Sequence, residues 1–168
     1  MNLYVIRHAI AVEAGSSGYE NDSQRTLTDK GRRKMENIAL GLRRLDVSLD
    51  LILSSPYLRA RQTAEILAEA FEMKQGPVLS QHLAPGGDLD EFFGEINEKY
   101  PVDSLAVVGH EPSLSTMISI LLAGNPNVMV NMRKGGVCCL ALDNLHHERR
   151  AMLEWLLAPN QLAKLGER

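Results

Sequence analysis

Residues 51–60 read LILSSPYLRA and combine a strand, a turn and the start of a helix. The apolar run Leu51–Leu53 predicts a short buried strand. Ser55 then favours a helix cap and Pro56 the first helical turn, because proline has no N–H to lose there. Further along, one face of the expected helix is marked at helical spacing by Thr63, Ile66, Leu67, Ala70 and Phe71. The stretch therefore predicts a strand followed directly by a helix, the repeating unit of α/β proteins.

The rest of the chain repeats this alternation. The other candidate strands are Leu3–Ile6, Leu105–Val108, Val137–Leu142 and Met152–Leu156, with a short sixth at Val78–Leu79. Helical periods fall between them: over residues 35–45, from Asp88 to before Pro101, and from Pro112 to Gly124. Strands that alternate with helices in this way favour βαβ units and a mainly parallel sheet.

Composition narrows the function class. The chain has 168 residues, enough for one domain with a sizeable core, and 45% of them are hydrophobic. A formal net charge of −3 and only 5% aromatic residues argue against a nucleic-acid or basic membrane surface. No apolar run is long enough for a membrane span, and the first residues do not resemble a signal peptide, so a cytoplasmic location is expected. The adjacent Cys138 and Cys139 are expected to be core residues.

Basic and imidazole side chains follow three of the expected strands. Arg7 and His8 follow the first, Arg59 lies in the segment after the second, and His110 follows the strand at residues 105–108. The carboxyl ends of parallel strands meet at one edge of a sheet, where ligands bind. Each residue alone has an ordinary interpretation as a satisfied histidine or a surface charge. Their convergence beside helix N-termini favours a cationic site for an anion.

Four motifs in order resemble the histidine phosphatase superfamily, also called the phosphoglycerate mutase-like family. They are Arg7-His8-Ala9, Arg25-x-Leu27-Thr28-x-x-Gly31, the block of residues 54–64 (SSPYLRARQTA), and Val108-Gly109-His110. Within that superfamily, the chain length and the segments at residues 83–88 and 157–162 look most like the SixA-type phosphohistidine phosphatases. The resemblance implies an α/β fold, namely a three-layer αβα sandwich with a mainly parallel central sheet. The middle segment, residues 80–104, has room for only a loop and one helix, so one histidine phosphatase domain over residues 1–168 without a cap domain is expected.

The resemblance assigns roles to the cationic residues. It implies that His8 is the nucleophile and becomes transiently phosphorylated, while Arg7, Arg59 and His110 hold the phosphoryl oxygens. Arg25 is a further phosphate or substrate contact, or else a surface loop charge. No cofactor is implied, and a metal site built from the remaining histidines, His82, His146 and His147, is disfavoured.

Two positions depart from the family pattern. Ala9 replaces the commoner glycine, which is harmless if its φ angle is negative. Many members also place a proton-donating carboxylate in the middle segment, and residues 81–85 (QHLAP) offer none. The nearest acids, Asp88 and Glu91, are better explained as a helix N-cap and its capping partner. Imidazole leaves more readily than an alkoxide, so a phosphohistidine substrate tolerates a missing acid.

Three hypotheses follow from these features. The leading one is a metal-independent phosphatase that removes phosphate from a histidine on a protein, such as a phosphotransfer domain. The alternative is a small-molecule phosphomonoesterase that uses the same site, and the third is a phosphate-binding module without turnover. A nucleotide-hydrolysing P-loop motif is absent from the sequence. One basic cluster is expected to be a solvated helix face, with docking of an acidic partner as the alternative: Arg32, Arg33, Arg43 and Arg44.

Overall fold

The computed structural model describes residues 1–143 and 151–167. Its six strands are β1 (Asn2–Arg7), β2 (Leu51–Ser54), β3 (Val78–Leu79), β4 (Ser104–Gly109), β5 (Val137–Ala141) and β6 (Met152–Leu157). Its α-helices are α1 (Asp29–Arg44), α2 (Leu58–Ala70), α3 (Leu89–Lys99), α4 (Ser113–Ala123) and α5 (Pro159–Gly166), and short 3₁₀ turns lie at Asp22–Gln24 and Gln81–Leu83.

The strands form one sheet in the order β3-β2-β4-β1-β5-β6. Strands β1 to β4 run parallel, and β5 is antiparallel to both β1 and β6. The sheet is therefore mixed but mainly parallel, as the sequence predicts, and the short sixth strand at Val78–Leu79 is present.

Helices cover both faces of the sheet. Alternate residues of β1 point to opposite sides, so Ile6 packs in a core with α1, α2 and α5 whereas Val5 packs in a second core with α3 and α4. Both residues are fully buried. The expected three-layer αβα sandwich is confirmed.

The start of α2 differs from the prediction. The helix begins at Leu58, its N-cap residue is Tyr57, and no side chain caps it. The Ser55 hydroxyl accepts a hydrogen bond from the Tyr57 amide at 3.2 Å and also contacts His110. The prediction that Ser55 caps this helix and Pro56 opens it is wrong, because the hydroxyl forms a turn with the amide two residues on and so delays the helix.

Other predicted helix ends are confirmed. The Asp88 carboxylate accepts hydrogen bonds from the Asp90 and Glu91 amides and so caps α3. Gly124 ends α4 in the left-handed region, with a φ of 72°. An N-cap residue and a C-terminal glycine are the helix signals that can be predicted most directly from sequence.

Helix α1 lies close to the loop that follows β1. A Cβ atom on Gly31 would stand 2.0 Å from the Ile10 carbonyl oxygen, so only glycine allows this approach. Thr28 caps the helix by accepting from the Gly31 amide, and its own amide donates to the Ile10 carbonyl. These contacts fix the loop that carries His8 and Ala9.

The basic end of α1 is exposed but not free. Arg43 donates to the carbonyl of Ala70, the last residue of α2, and Arg44 donates to the carbonyl of Glu167 beyond α5. Cations near helix C-termini are favourable, because the last carbonyls carry partial negative charge. The exposed helix face is as expected, and it also ties three helices together.

The two cysteines are free and buried in β5, as expected of core residues. Burial raises the pKa of the Cys138 thiol to about 12, so it stays protonated and unreactive at neutral pH. Across residues 1–143 and 151–167, no helix is both long and apolar enough to cross a membrane.

Candidate active site

The ends of β1 and β4 bring two histidines together. The His8 amide donates to the Gly109 carbonyl at 3.1 Å, and the rings of His8 and His110 lie 5.1 Å apart between centroids. Both side chains are buried, with exposed fractions of 5% and 3%. The parallel pairing of β1 with β4 therefore brings together the two histidines that sequence assigned to one edge.

The hydrogen bonds of His8 define its tautomer. Its Nδ1 lies 2.7 Å from the Ala9 carbonyl oxygen, which can only accept, so Nδ1 carries the proton. Its Nε2 lies 3.3 Å from Arg59 Nε, which can only donate, so Nε2 holds a lone pair. The ring is neutral, and its unprotonated nitrogen faces the guanidinium group.

The surroundings keep His8 neutral. Burial lowers its pKa most, the hydrogen bond to Ala9 opposes this, and the charges of His110, Arg59 and Arg7 lower the pKa further, to about 3. A histidine that stays unprotonated at neutral pH can use its lone pair as a nucleophile.

Arg59 is fixed by α2 and by its neighbours. Only 4% of the residue is exposed, and its guanidinium lies 5.1 Å from the centre of the Tyr57 ring. The hydroxyl of buried Thr63 donates to the Arg59 carbonyl and accepts from the Ala9 amide, at 2.7 and 3.0 Å. One side chain thus couples the first turn of α2 to the loop after β1.

Asp22 is a site residue that sequence reasoning missed. Its side-chain and backbone oxygens accept from Arg59 Nη2 and Nη1 at 3.1 and 2.7 Å, and its other carboxylate oxygen accepts from Arg25 Nε at 2.7 Å. Burial works to raise the pKa of this carboxyl, but hydrogen bonds and charges from both arginines outweigh it and hold the pKa below its usual range. The cluster therefore holds one carboxylate beside its arginines and histidines, and the arginines outnumber it.

Arg25 belongs to the same network. Only 13% of its side chain is exposed, and its Nη1 donates to the Val12 carbonyl at 2.7 Å. Gln62 holds this loop, because its side-chain oxygen accepts from the Thr26 hydroxyl and the Leu27 amide. Arg25 is thus part of the cluster rather than an isolated surface charge.

His110 is buried among polar and aromatic groups. Its Nε2 lies 2.8 Å from the Ser55 hydroxyl, and the Tyr57 ring meets its ring edge-on with the centroids 5.3 Å apart. Burial lowers its pKa most and the charge of Arg59 lowers it further, to about 4. The site therefore holds two neutral imidazoles beside charged guanidinium groups.

Two buried nitrogen atoms have no hydrogen-bond partner within the described part of the chain: Arg7 Nε and His110 Nδ1. The other end of the Arg7 guanidinium is anchored, since its Nη1 donates to the Met132 carbonyl at 2.8 Å. Buried polar atoms are almost always satisfied, and exceptions often mark a place where a ligand binds. Both belong to residues to which the family resemblance assigns phosphate binding.

The remaining sequence predictions concern Ala9 and a metal site built from the other histidines. Ala9 is buried and does not share the positive φ of Asp46 and Glu72, the two such non-glycine residues in the described chain, so it replaces glycine without strain. Residues His146 and His147 lie outside the described residues. Among the rest, no group of three or more His, Cys, Asp or Glu side chains could hold a metal ion.

A model of the histidine phosphatase superfamily (branch 1) matches residues 3–81, the part that holds Arg7, His8, Arg25 and Arg59. The phosphohistidine phosphatase SixA of Escherichia coli is 25% identical over 164 residues, which cover 96% of each chain. The chain belongs to the histidine phosphatase superfamily. An uncharacterized protein of Picosynechococcus sp. is 40% identical to this superfamily member over 139 residues, 82% of each chain.

A solved structure shares the superfamily fold over nearly the whole chain. The protein histidine phosphatase SixA complexed with tungstate matches with a TM-score of 0.80 at 24% identity, and the match covers 96% of this chain and 99% of that one. His110 lies beyond the 79 residues of the superfamily match, and the pairing of β4 with β1 brings it to His8. The fold thus supplies the part of the site that the sequence match does not cover.

Proposed function

We propose that this protein is a phosphohistidine phosphatase, which removes the phosphoryl group from a histidine on another protein through a covalent phosphohistidine on His8. The observation that carries the proposal is the His8 tautomer: Nδ1 donates to the Ala9 carbonyl, which leaves the Nε2 lone pair facing Arg59. A buried, neutral imidazole beside guanidinium groups suits a nucleophile that must attack a charged phosphoryl group.

The reaction has two steps in this proposal. His8 Nε2 forms a bond to phosphorus while the phosphorus–nitrogen bond of the substrate breaks, and the leaving imidazole takes a proton from solvent. Water then attacks the phosphorus on His8, the new phosphorus–nitrogen bond breaks, and inorganic phosphate leaves. Arg7, Arg59, His110 and Arg25 stabilise the negative charge that spreads over the phosphoryl oxygens in both steps.

Neither the two acids that the sequence offers as proton donors nor Asp22 suits that role, which supports a substrate with a good leaving group. Asp88 is engaged as the N-cap of α3, and Glu91 is exposed on the same helix. Asp22 contacts the site, but its lowered pKa makes it a poor proton donor at neutral pH. An alkyl phosphate needs a proton on its leaving oxygen, whereas phosphohistidine releases imidazole. We therefore favour phosphohistidine over a phosphomonoester.

The segment between β3 and β4 supports a protein as the substrate carrier. It contains a 3₁₀ turn and α3, whose Phe92, Phe93 and Ile96 are buried against the sheet. Helix α3 thus serves as a layer of the sandwich and not as a lid over the strand ends. We propose a single histidine phosphatase domain over residues 1–168 with no cap domain, so that a phosphotransfer-type domain reaches His8.

Kinetics with two substrate classes test this function. We expect kcat/KM on a histidine-phosphorylated protein to exceed kcat/KM on an alkyl phosphomonoester by at least about 100-fold, the weight of one general acid. We expect His8→Ala to abolish both activities while it unfolds at a similar temperature. Preference for the alkyl phosphate would favour the phosphomonoesterase. Phosphate binding without any turnover would favour the binding module.

A further inference from the structure

The donors of Arg59 are shared between the nucleophile and an acidic side chain. Its Nε and Nη2 lie side by side, the arrangement with which a guanidinium donates to two oxygens of one phosphate. Here Nε donates to His8 Nε2 at 3.3 Å and Nη2 donates to Asp22 Oδ2 at 3.1 Å. The Asp22 carboxylate therefore takes a contact that a bound phosphoryl group requires.

We propose that Asp22 is an internal competitor for the phosphoryl-binding edge of Arg59 and thereby sets how weakly the site holds free phosphate. This inference rests on the proposed function in one respect, namely that Arg59 contacts the phosphoryl group. An entering phosphoryl group replaces the Asp22 carboxylate on Nη2 and also takes Nε from His8, which frees the His8 lone pair to attack phosphorus. When inorganic phosphate leaves, Asp22 pairs with Arg59 again.

The two partners differ in how easily they move. The side chain of Arg59 is 5% exposed, whereas that of Asp22 is 50% exposed and lies on a short 3₁₀ turn. Arg25 offers Asp22 a second partner through its Nε. The carboxylate can therefore rotate away from Arg59 while it keeps its contact with Arg25, and the buried guanidinium stays in place for the substrate.

This exchange weakens the binding of the free product. A histidine-phosphorylated protein brings contacts beyond its phosphoryl group, so it can displace Asp22 from Arg59. Inorganic phosphate offers the site only its own oxygens and must compete with the carboxylate. Displacing Asp22 costs both ligands the same free energy, so Asp22 keeps the affinity for free phosphate low and thereby limits product inhibition.

Removing the Asp22 carboxylate is expected to change phosphate affinity only modestly, because Asp22 is half exposed. Ion pairs with an exposed partner contribute about 0.2–1 kcal/mol, which corresponds to about a 1.5- to 5-fold change in a dissociation constant. The direction is the informative part. A competitor predicts tighter phosphate binding when its charge is removed, whereas a residue that merely holds Arg59 in place predicts weaker binding.

Calorimetric titration with inorganic phosphate at pH 7.5 and low salt tests the proposal. We expect Asp22→Asn and Asp22→Ala to lower the dissociation constant 1.5- to 5-fold. Glu20→Gln is the matched control, because Glu20 lies two residues away and accepts from the Gly18 amide, and we expect its dissociation constant to stay at the wild-type value. Thermal unfolding verifies that each variant is folded.

The outcomes separate the two proposals. Equal or weaker phosphate binding by both Asp22 variants would overturn the internal competitor, as would the same tightening in Glu20→Gln. Arg59→Ala tests the proposed function instead, since we expect it to weaken phosphate binding at least 10-fold. Binding that does not depend on Arg59 would refute a phosphoryl contact at that residue, and the role of Asp22 with it.

Discussion

Lowering the pH from 7.5 to 5.0 is expected to destabilise the protein through His8 and His110. Burial holds the pKa of His8 at about 3 and that of His110 at about 4. In the unfolded chain, both imidazoles regain a pKa near ~6.5. Between these values the unfolded state binds protons that the folded state excludes, so stability is full above pH 6.5 and is lost as the pH falls.

The magnitude follows from these pKa values. When the pH falls from 7.5 to 5.0, each histidine with an unfolded pKa of ~6.5 and a folded pKa well below 5 lowers the free energy of unfolding of the protein by about 2 kcal/mol. The two buried histidines together lower the free energy of unfolding by about 4 kcal/mol, a large share of the ~5–15 kcal/mol that stabilises a typical domain. Carboxylates contribute little in this window, because most titrate below pH 5.

Denaturant unfolding at pH 7.5, 6.5, 5.5 and 5.0 measures the effect. We expect the free energy of unfolding to fall by about 4 kcal/mol for the wild type and by about 2 kcal/mol for His8→Gln or His110→Gln, which each lack one titrating ring. A fall below about 1 kcal/mol in the wild type would refute the reasoning. An unchanged pH dependence in both variants would do the same.

Three further predictions concern the site, the loop beneath it and the need for metal. Arg59→Lys removes the forked donors, so we expect kcat/KM on a phosphohistidine protein to fall about 100-fold. The control is the exposed Arg61→Lys on the same helix, for which we expect little change in kcat/KM. Equal losses in the two variants would contradict a special role for Arg59. Gly31→Ala places a Cβ 2.0 Å from the Ile10 carbonyl oxygen, so we expect it to lower the free energy of unfolding by about 3 kcal/mol. Gly94→Ala in α3 is the control, because the space at its Cβ is open, and we expect it to raise the free energy of unfolding by about 1 kcal/mol. Both are read from denaturation midpoints, and a stable Gly31→Ala variant would show that the loop can move aside. Phosphatase activity is expected to survive dialysis against a chelator, and a loss that metal ions restore would contradict the metal-independent reaction.

The fold was readable because its signals are local. Apolar runs such as Leu105–Val108 mark fully buried strands, and their alternation with helical periods implies parallel pairing. The Asp88 cap and the Gly124 stop depend only on neighbouring backbone groups. Ser55 shows the limit of such reasoning, since its hydroxyl serves a turn and a histidine from another strand rather than the helix that follows it.

The candidate site was only partly readable. The sequence predicted that His8 and His110 lie close together, because each follows a strand and the ends of parallel strands meet at one edge of the sheet. Asp22 lies in a loop without periodicity, and its contact with Arg59 depends on how that loop folds back over α2. Its spacing to Arg25 was the available signal, since residues three apart meet on a helical turn. The His8 tautomer depends on two distances that no sequence pattern encodes.

The most direct measurement is to trap the intermediate. The protein would be mixed with a phosphotransfer domain labelled on its phosphohistidine, quenched with alkali within milliseconds, digested and analysed by mass spectrometry. We expect an acid-labile phosphoryl group on Nε2 of His8, and none in His8→Ala. A phosphoryl group on any other residue, or turnover without a phosphorylated enzyme at any quench time, would contradict the nucleophilic role of His8.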